Sequence, residues 1–245
     1  MSSAAMVFTP ATPLSVISFL VIVAAVVVAV LSGTHWAARR TGRPAGRITG
    51  RVATGLALWV GVVSLAAASG FAEASPMPRL PMMFAVLTIL SVGFGLSPVG
   101  GMIARGLPIA ALVGFQAFRL PLELVLHAWV GSGTIPESMT WSGAMGANFD
   151  IISGIVALAA VPFASRSKAV AWVANLVGFG LLMNVLRVVV FSSPLPFAWP
   201  VDPPLQLAFH LPYVWIAPVC VGGALAGHVI LTRALLWSRI GPQGR

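Results

Sequence analysis

Apolar residues concentrate in seven stretches of this chain, at 13–33, 52–72, 82–104, 107–130, 150–164, 169–192 and 211–235. Most of them approach the roughly 20 residues that a helix needs to cross a hydrocarbon core of about 30 Å. The pattern predicts an all-α fold: a polytopic integral membrane bundle of about seven transmembrane helices, forming a single domain over 1–245. The fifth stretch is the shortest, and Pro162 sits near its end, so it begins in the preceding loop or lies tilted among neighbours.

The loops between the stretches alternate in arginine content. Arg39, Arg40, Arg43, Arg47 and Arg51 follow the first stretch, Arg105 the third, Arg166 and Lys168 the fifth, and Arg233, Arg239 and Arg245 accompany the seventh. The other loops, 73–81, 131–149 and 193–210, hold only Arg79, against Glu73, Glu137 and Asp202. Positive residues are retained on the cytoplasmic side, which puts the N-terminus outside and the C-terminus cytoplasmic. Residues 1–12 carry no Lys or Arg, so the first stretch reads as a retained helix rather than a cleaved signal.

The loop over 34–51 places Arg39, Arg43, Arg47 and Arg51 four apart, but Gly42, Pro44 and Gly46 predict that no stable helix forms there. It reads as a topology-fixing loop that touches anionic lipid. Pro98, Gly100, Gly101, Gly106 and Pro108 predict a short turn joining the third and fourth stretches. Residues 131–149 and the proline-rich 194–212 carry apolar and aromatic residues, so these loops lie on the membrane surface or fold back over the helix ends. Trp129, Trp141, Phe191, Phe197, Trp199, Tyr213 and Trp215 are expected near the outer headgroups.

Composition agrees with a membrane protein: 58% of residues are hydrophobic and 8% charged. A net charge of +9 would suit nucleic acid, but it lies in loops that the positive-inside bias and anionic headgroups already explain, so no nucleic-acid binding is expected. The only lysine is Lys168, so no retinal Schiff base can form in the seventh stretch. The arginine bias and abundant Ala, Gly and Val point to a bacterial genome rich in GC and to the cell inner membrane. Cys220 has no partner for an internal disulfide.

Candidate chemistry lies in the fourth stretch, where Arg119, Glu123 and His127 share one helical face with Gln116 a turn earlier. Pro121 should bend the helix beside them. Asn184 and Arg187 of the sixth stretch fall at a similar depth, and Asn148, Asp150, Asp202 and His210 at the outer rim. A charge left at the bilayer centre costs about 2.5–3.5 kcal/mol, so Arg119, Glu123 and Arg187 must face inward and pair. Two arginines against Glu123 leave positive charge in excess unless Asp150 or Asp202 reaches in. The expected function is an outward-facing polar site that binds or translocates a small anionic or lipid-like ligand. Its residues would be Arg119, Glu123, His127, Asn184, Arg187, Gln116, Asn148, Asp150 and His210.

Other readings stay open. His127 with His210, and His35 with His228, could ligate haem or a metal, although no cofactor is specified by spacing. Glu123 and His127 could act as an acid–base pair oriented by Asp150. A structural subunit with membrane-protein partners is a further alternative. His228, among Gly222, Gly223, Ala224, Ala226 and Gly227, is expected to make an interhelical hydrogen bond, with Asn175 and Gly178 in a similar tight seam.

Overall fold

The computed structural model describes residues 7–237, so Arg239 and Arg245 lie outside the described residues. The fold is all-α. Helix α1 (Pro13–Arg40) and α2 (Ala45–Ala68) form a hairpin. Next come α3 (Pro76–Leu96), α4 (Pro98–Gly106), α5 (Ile109–Phe115) and α6 (Arg119–Gly131). The remaining helices are α7 (Ile151–Ala164), α8 (Lys168–Ser192) and α9 (Gly222–Trp237).

Among the described residues six helical runs are long and apolar enough to cross a membrane, which marks the chain as a multi-pass membrane-embedded protein. Large apolar side chains are exposed along them, including Leu58, Leu65, Ile89 and Leu176, as a lipid-facing surface requires. The fifth predicted stretch forms α7, whose 14 residues cover only about 21 Å at 1.5 Å each. It starts at Ile151, not earlier in the loop.

Three local expectations are corrected. The arginine loop is mostly helical, because α1 runs on to Arg40 and α2 starts at Ala45, taking in Gly46, Arg47, Gly50 and Arg51. Gly42, at φ +66°, accounts for the short turn: it lets the Arg43 amide reach the Ala38 carbonyl at 2.8 Å. The stretch 82–104 is two helices. It divides at Ser97, which caps α4 by accepting from the Gly100 amide at 3.1 Å, with Pro98 at the first helical position. Arg233 then donates to the carbonyls of Gly95 and Ser97, satisfying the end of α3. Trp129 and Tyr213 are core residues rather than interface anchors, at 0% and 4% exposure. The Trp129 indole donates to Ser15 at 3.1 Å, and the Tyr213 hydroxyl accepts from the Ala11 amide at 3.0 Å.

Two irregular segments shape the interior. The bend expected from Pro121 is a 3-10 turn over Gln116–Phe118, between α5 and α6. Before α9 lies a π-helical stretch, Ile216–Val221; Pro218 within it has no amide to give to a regular α-helical ladder. At one end of the bundle Ala37, Ala38, Met102, Ala164, Ala171 and Leu235 pack together beneath the basic turns. At the other end the polar loops fold back, burying Ile135, Met139, Leu205 and Leu207 against α1 and α6.

Candidate functional site: a polar ladder and a lateral cavity

Arg119 is 1% exposed, at the junction where the 3-10 turn becomes α6. Its partner is Asp150, at the N-terminus of α7, not Glu123 or any group on α8. The guanidinium grips that carboxylate bidentately, through Nε at 2.6 Å to Oδ2 and through Nη2 to Oδ1. Nη1 donates to the Gly178 carbonyl at 2.9 Å and lies 3.1 Å from His228 Nε2. Because a guanidinium can only donate, Nε2 of His228 must accept, which puts the imidazole proton on Nδ1. That nitrogen faces Asn175 Oδ1 at 2.9 Å, and the Asn175 amide donates to Thr232 Oγ1 at 2.8 Å. The chain is self-consistent, and four of the five N–H groups of Arg119 are spoken for.

On the far side of Asp150 the ladder continues. Ser153 Oγ donates to Asp150 Oδ1 at 2.9 Å, and the Asp150 amide donates to Asn148 Oδ1 at 3.0 Å. The Asn148 side-chain amide then donates to both oxygens of Glu123, at 3.1 and 2.9 Å, and to the Met139 carbonyl at 3.2 Å. Glu123 is 2% exposed, and its hydrogen-bond partner among the described residues is this neutral amide. The Arg119–Asp150 contact is the one ion pair among the described residues. The expected surplus of positive charge is therefore absent.

The remaining candidates do not converge. Arg187 is exposed; its Nε and Nη2 donate to Asn184 Oδ1 on its own helix, at 3.2 and 2.9 Å, and it lies over Trp199. Asn184 donates to the Ala147 carbonyl at 2.7 Å. Gln116 donates to the Ala224 carbonyl at 3.2 Å, while its buried Oε1 has no partner. His127 faces Thr140 Oγ1 at 3.0 Å and stacks on Trp141, sharing no hydrogen bond with Glu123. His210 stacks on Phe8 at 3.8 Å, and Asp202 is exposed. Among the described residues no three His, Cys, Asp or Glu side chains gather as a metal site, and His228 spends both ring nitrogens inside the protein.

Burial pulls the His210 imidazole below its ordinary range, with Glu73 partly opposing that shift. Its unfolded form binds a proton first as pH falls, so its contribution to stability is present above about pH 6.5 and lost below it. The melting temperature of wild type should therefore fall more between pH 7 and pH 5 than that of His210→Phe, measured in detergent.

The ladder leaves little room. Beside Arg119, Glu123 and Asp150 lies a cavity of about 80 Å³. A larger cavity lies elsewhere, nearer the arginine-bearing end. It measures about 870 Å³ and is floored by α1, α5 and α9, with Val26, Phe115 and Gly223 in its lining. Arg51, Gly55, Leu56 and Trp59 of α2 line one side, and Leu90 and Phe94 of α3 the other. Gly55 and Leu90 are both exposed, so the cavity opens sideways between these helices. An α2 that packs on α1 and on the segment 207–221, with little contact to α3, leaves that gap.

Known proteins offer no match. No family model, no curated protein and no solved structure matches the chain. Function has to be read from the two features above. The ladder ties α6, α7, α8 and α9 together by hydrogen bonds, whereas the lateral cavity is an apolar volume within the usual range of ligand sites, about 300–1,000 Å³.

Proposed function

We propose that this chain is a multi-pass protein of a bacterial inner membrane, with its N-terminus outside, that binds a lipid-like ligand inside the bilayer. The observation that carries the reading is the lateral cavity of about 870 Å³ with its apolar lining. A ligand with a long apolar chain can reach it from the bilayer without crossing a polar surface. The orientation rests on the basic turns, since Arg39 to Arg51, Arg105, Arg166 and Arg233 all belong to the end where α1, α4 and α9 meet. Seven crossings follow if α7 counts as a short one shielded by its neighbours.

A small anion held by Arg119 is the weaker form of the reading, since that guanidinium already holds Asp150 and Gly178. In this proposal the polar ladder positions helices and the cavity does the binding. Gly55 supplies the test. A Cβ there meets nothing within 4 Å, and a larger residue also suits a helix better than glycine. Gly55→Trp should fill the cavity without unfolding α2. Native mass spectrometry should find lipid retained by wild type and about tenfold less by the variant, a loss of about 1.4 kcal/mol. A wild type that carries no lipid, or a variant that carries as much, overturns the reading.

A further inference from the structure

The cavity has a chemical polarity along its length. Arg47, Arg51, Gly55 and Trp59 recur every four residues, so they run as one stripe along α2. The last three line the cavity, which makes Arg51 the basic group at its shallow end and Trp59 its deeper wall. Across from Arg51, Trp36 of α1 also lines it, 45% exposed, with Arg40 stacked over its ring at 4.8 Å. From Trp36 back to Val26 the lining covers ten residues, or about 15 Å of helix. That is about half of a 30 Å hydrocarbon core, the depth of one leaflet.

Among the described residues, no acidic side chain pairs with the charge at the mouth. Arg43, Arg47 and Arg51 are exposed, and the one ion pair among the described residues is far from them, at Asp150. The acidic residues are Glu73, Glu123, Glu137, Asp150 and Asp202, and none lies in or beside the α1–α2 turn. A guanidinium pairs well with a phosphate through paired N–H donors.

We infer that the ligand is an anionic phospholipid drawn from the leaflet on the arginine-bearing side. Its acyl chain fills the cavity between α2 and α3, and its headgroup phosphate is held by Arg51. This rests on the lipid reading above and adds the headgroup, the leaflet and the gripping residue. The cavity floor accepts any chain of suitable length; Arg51 sets the preference among headgroups.

The test uses the full-length protein exchanged into nanodiscs of equal phosphatidylglycerol and phosphatidylcholine with matched chains, followed by native mass spectrometry of retained lipid. Wild type should keep phosphatidylglycerol over phosphatidylcholine by about fivefold or more, the factor for one basic residue at about 1 kcal/mol. Arg51→Gln should lose about fivefold of that preference while keeping its total lipid, and Arg166→Gln, at another basic turn, should keep both. Excess inorganic phosphate should leave the retained phosphatidylglycerol in place. Equal retention of the two lipids by wild type, or an Arg166→Gln effect as large as that of Arg51→Gln, overturns the headgroup site and leaves the lipid reading standing. Displacement by free phosphate overturns the lipid source of the anion. Failure of wild type to retain any lipid removes the lipid reading, and this inference with it.

Discussion

Asp150→Ala should destabilise the protein by about 3 kcal/mol or more, the largest effect expected of any single polar substitution here. Removing one member of a buried ion pair strands the other, at about 3–5 kcal/mol. Arg119 would keep the Gly178 carbonyl and His228 but lose both bonds to a counterion, at 1% exposure. The scale for an arginine left at the centre of a spanning helix, about 2.5–3.5 kcal/mol, gives the same size. The double variant Arg119→Met with Asp150→Ala should recover most of the loss, since no charge is then stranded. Arg187→Gln should move stability by no more than about 0.5 kcal/mol, because that side chain is exposed, hydrogen-bonds its own helix neighbour and otherwise lies over the Trp199 ring. Equilibrium unfolding in mixed micelles, followed by tryptophan fluorescence, measures all of these. A single variant as stable as wild type would mean that Asp150 is not what holds Arg119.

Gly154→Leu is the second large effect, and it acts on the same junction through packing. A Cβ at Gly154 would stand 2.5 Å from the backbone nitrogen of Leu120 and 2.8 Å from its Cα. Backbone cannot swing aside as a side chain can, so α7 must move away from α6. Overpacking of this kind costs about 1–3 kcal/mol, and leucine should reach the upper end or pass it. Displacing α7 also draws Asp150, four residues earlier, off Arg119, so the two costs should couple. Gly154→Ala should already lose stability despite alanine's better helix propensity of about 1 kcal/mol. Gly180→Ala is the matched control, because nothing lies within 4 Å of a Cβ there, and it should hold or gain stability. If Gly154→Ala proves as stable as Gly180→Ala, the close approach of α7 is not structural.

Most of the long helices were legible in the apolar runs, although 82–104 divides at Ser97; of the expected stripe Arg119 and Glu123 face inward, whereas His127 is exposed. Which partners they meet was not legible. A membrane helix is apolar all round, so its sequence carries little sign of which face turns inward. The most apolar 18-residue windows of Tyr213–Trp237 and Ala45–Ala68 have similar mean hydropathies, 1.9 and 1.6, yet 67% of the first window is buried against 11% of the second. Arg187 does not reach Arg119: nine residues, or about 13 Å of helix, separate it from Gly178, whose carbonyl Arg119 takes, and its own side chain is exposed. Asp150 was recognised only as a rim residue that could reach in. Its neighbours Asn148 and Ser153 were the available clue, since polar side chains flanking an acid at the start of an apolar helix are placed to orient it. His228 was expected to make an interhelical hydrogen bond and Asn175 to sit in a tight seam; the two bond each other within the same ladder. The lateral cavity had no signal in the sequence, because a gap between helices is a property of their spacing.

The identity of the central rung limits what the ladder can carry. Charge hopping along hydrogen bonds requires every link to release a hydron as well as receive one, and a guanidinium does not release its own. Arg119 sits between Asp150 and His228, so relay from the Glu123 side to the Thr232 side stops there. A bundle can thus thread polar groups through its oily middle and still leave the electrochemical gradient across the membrane undissipated.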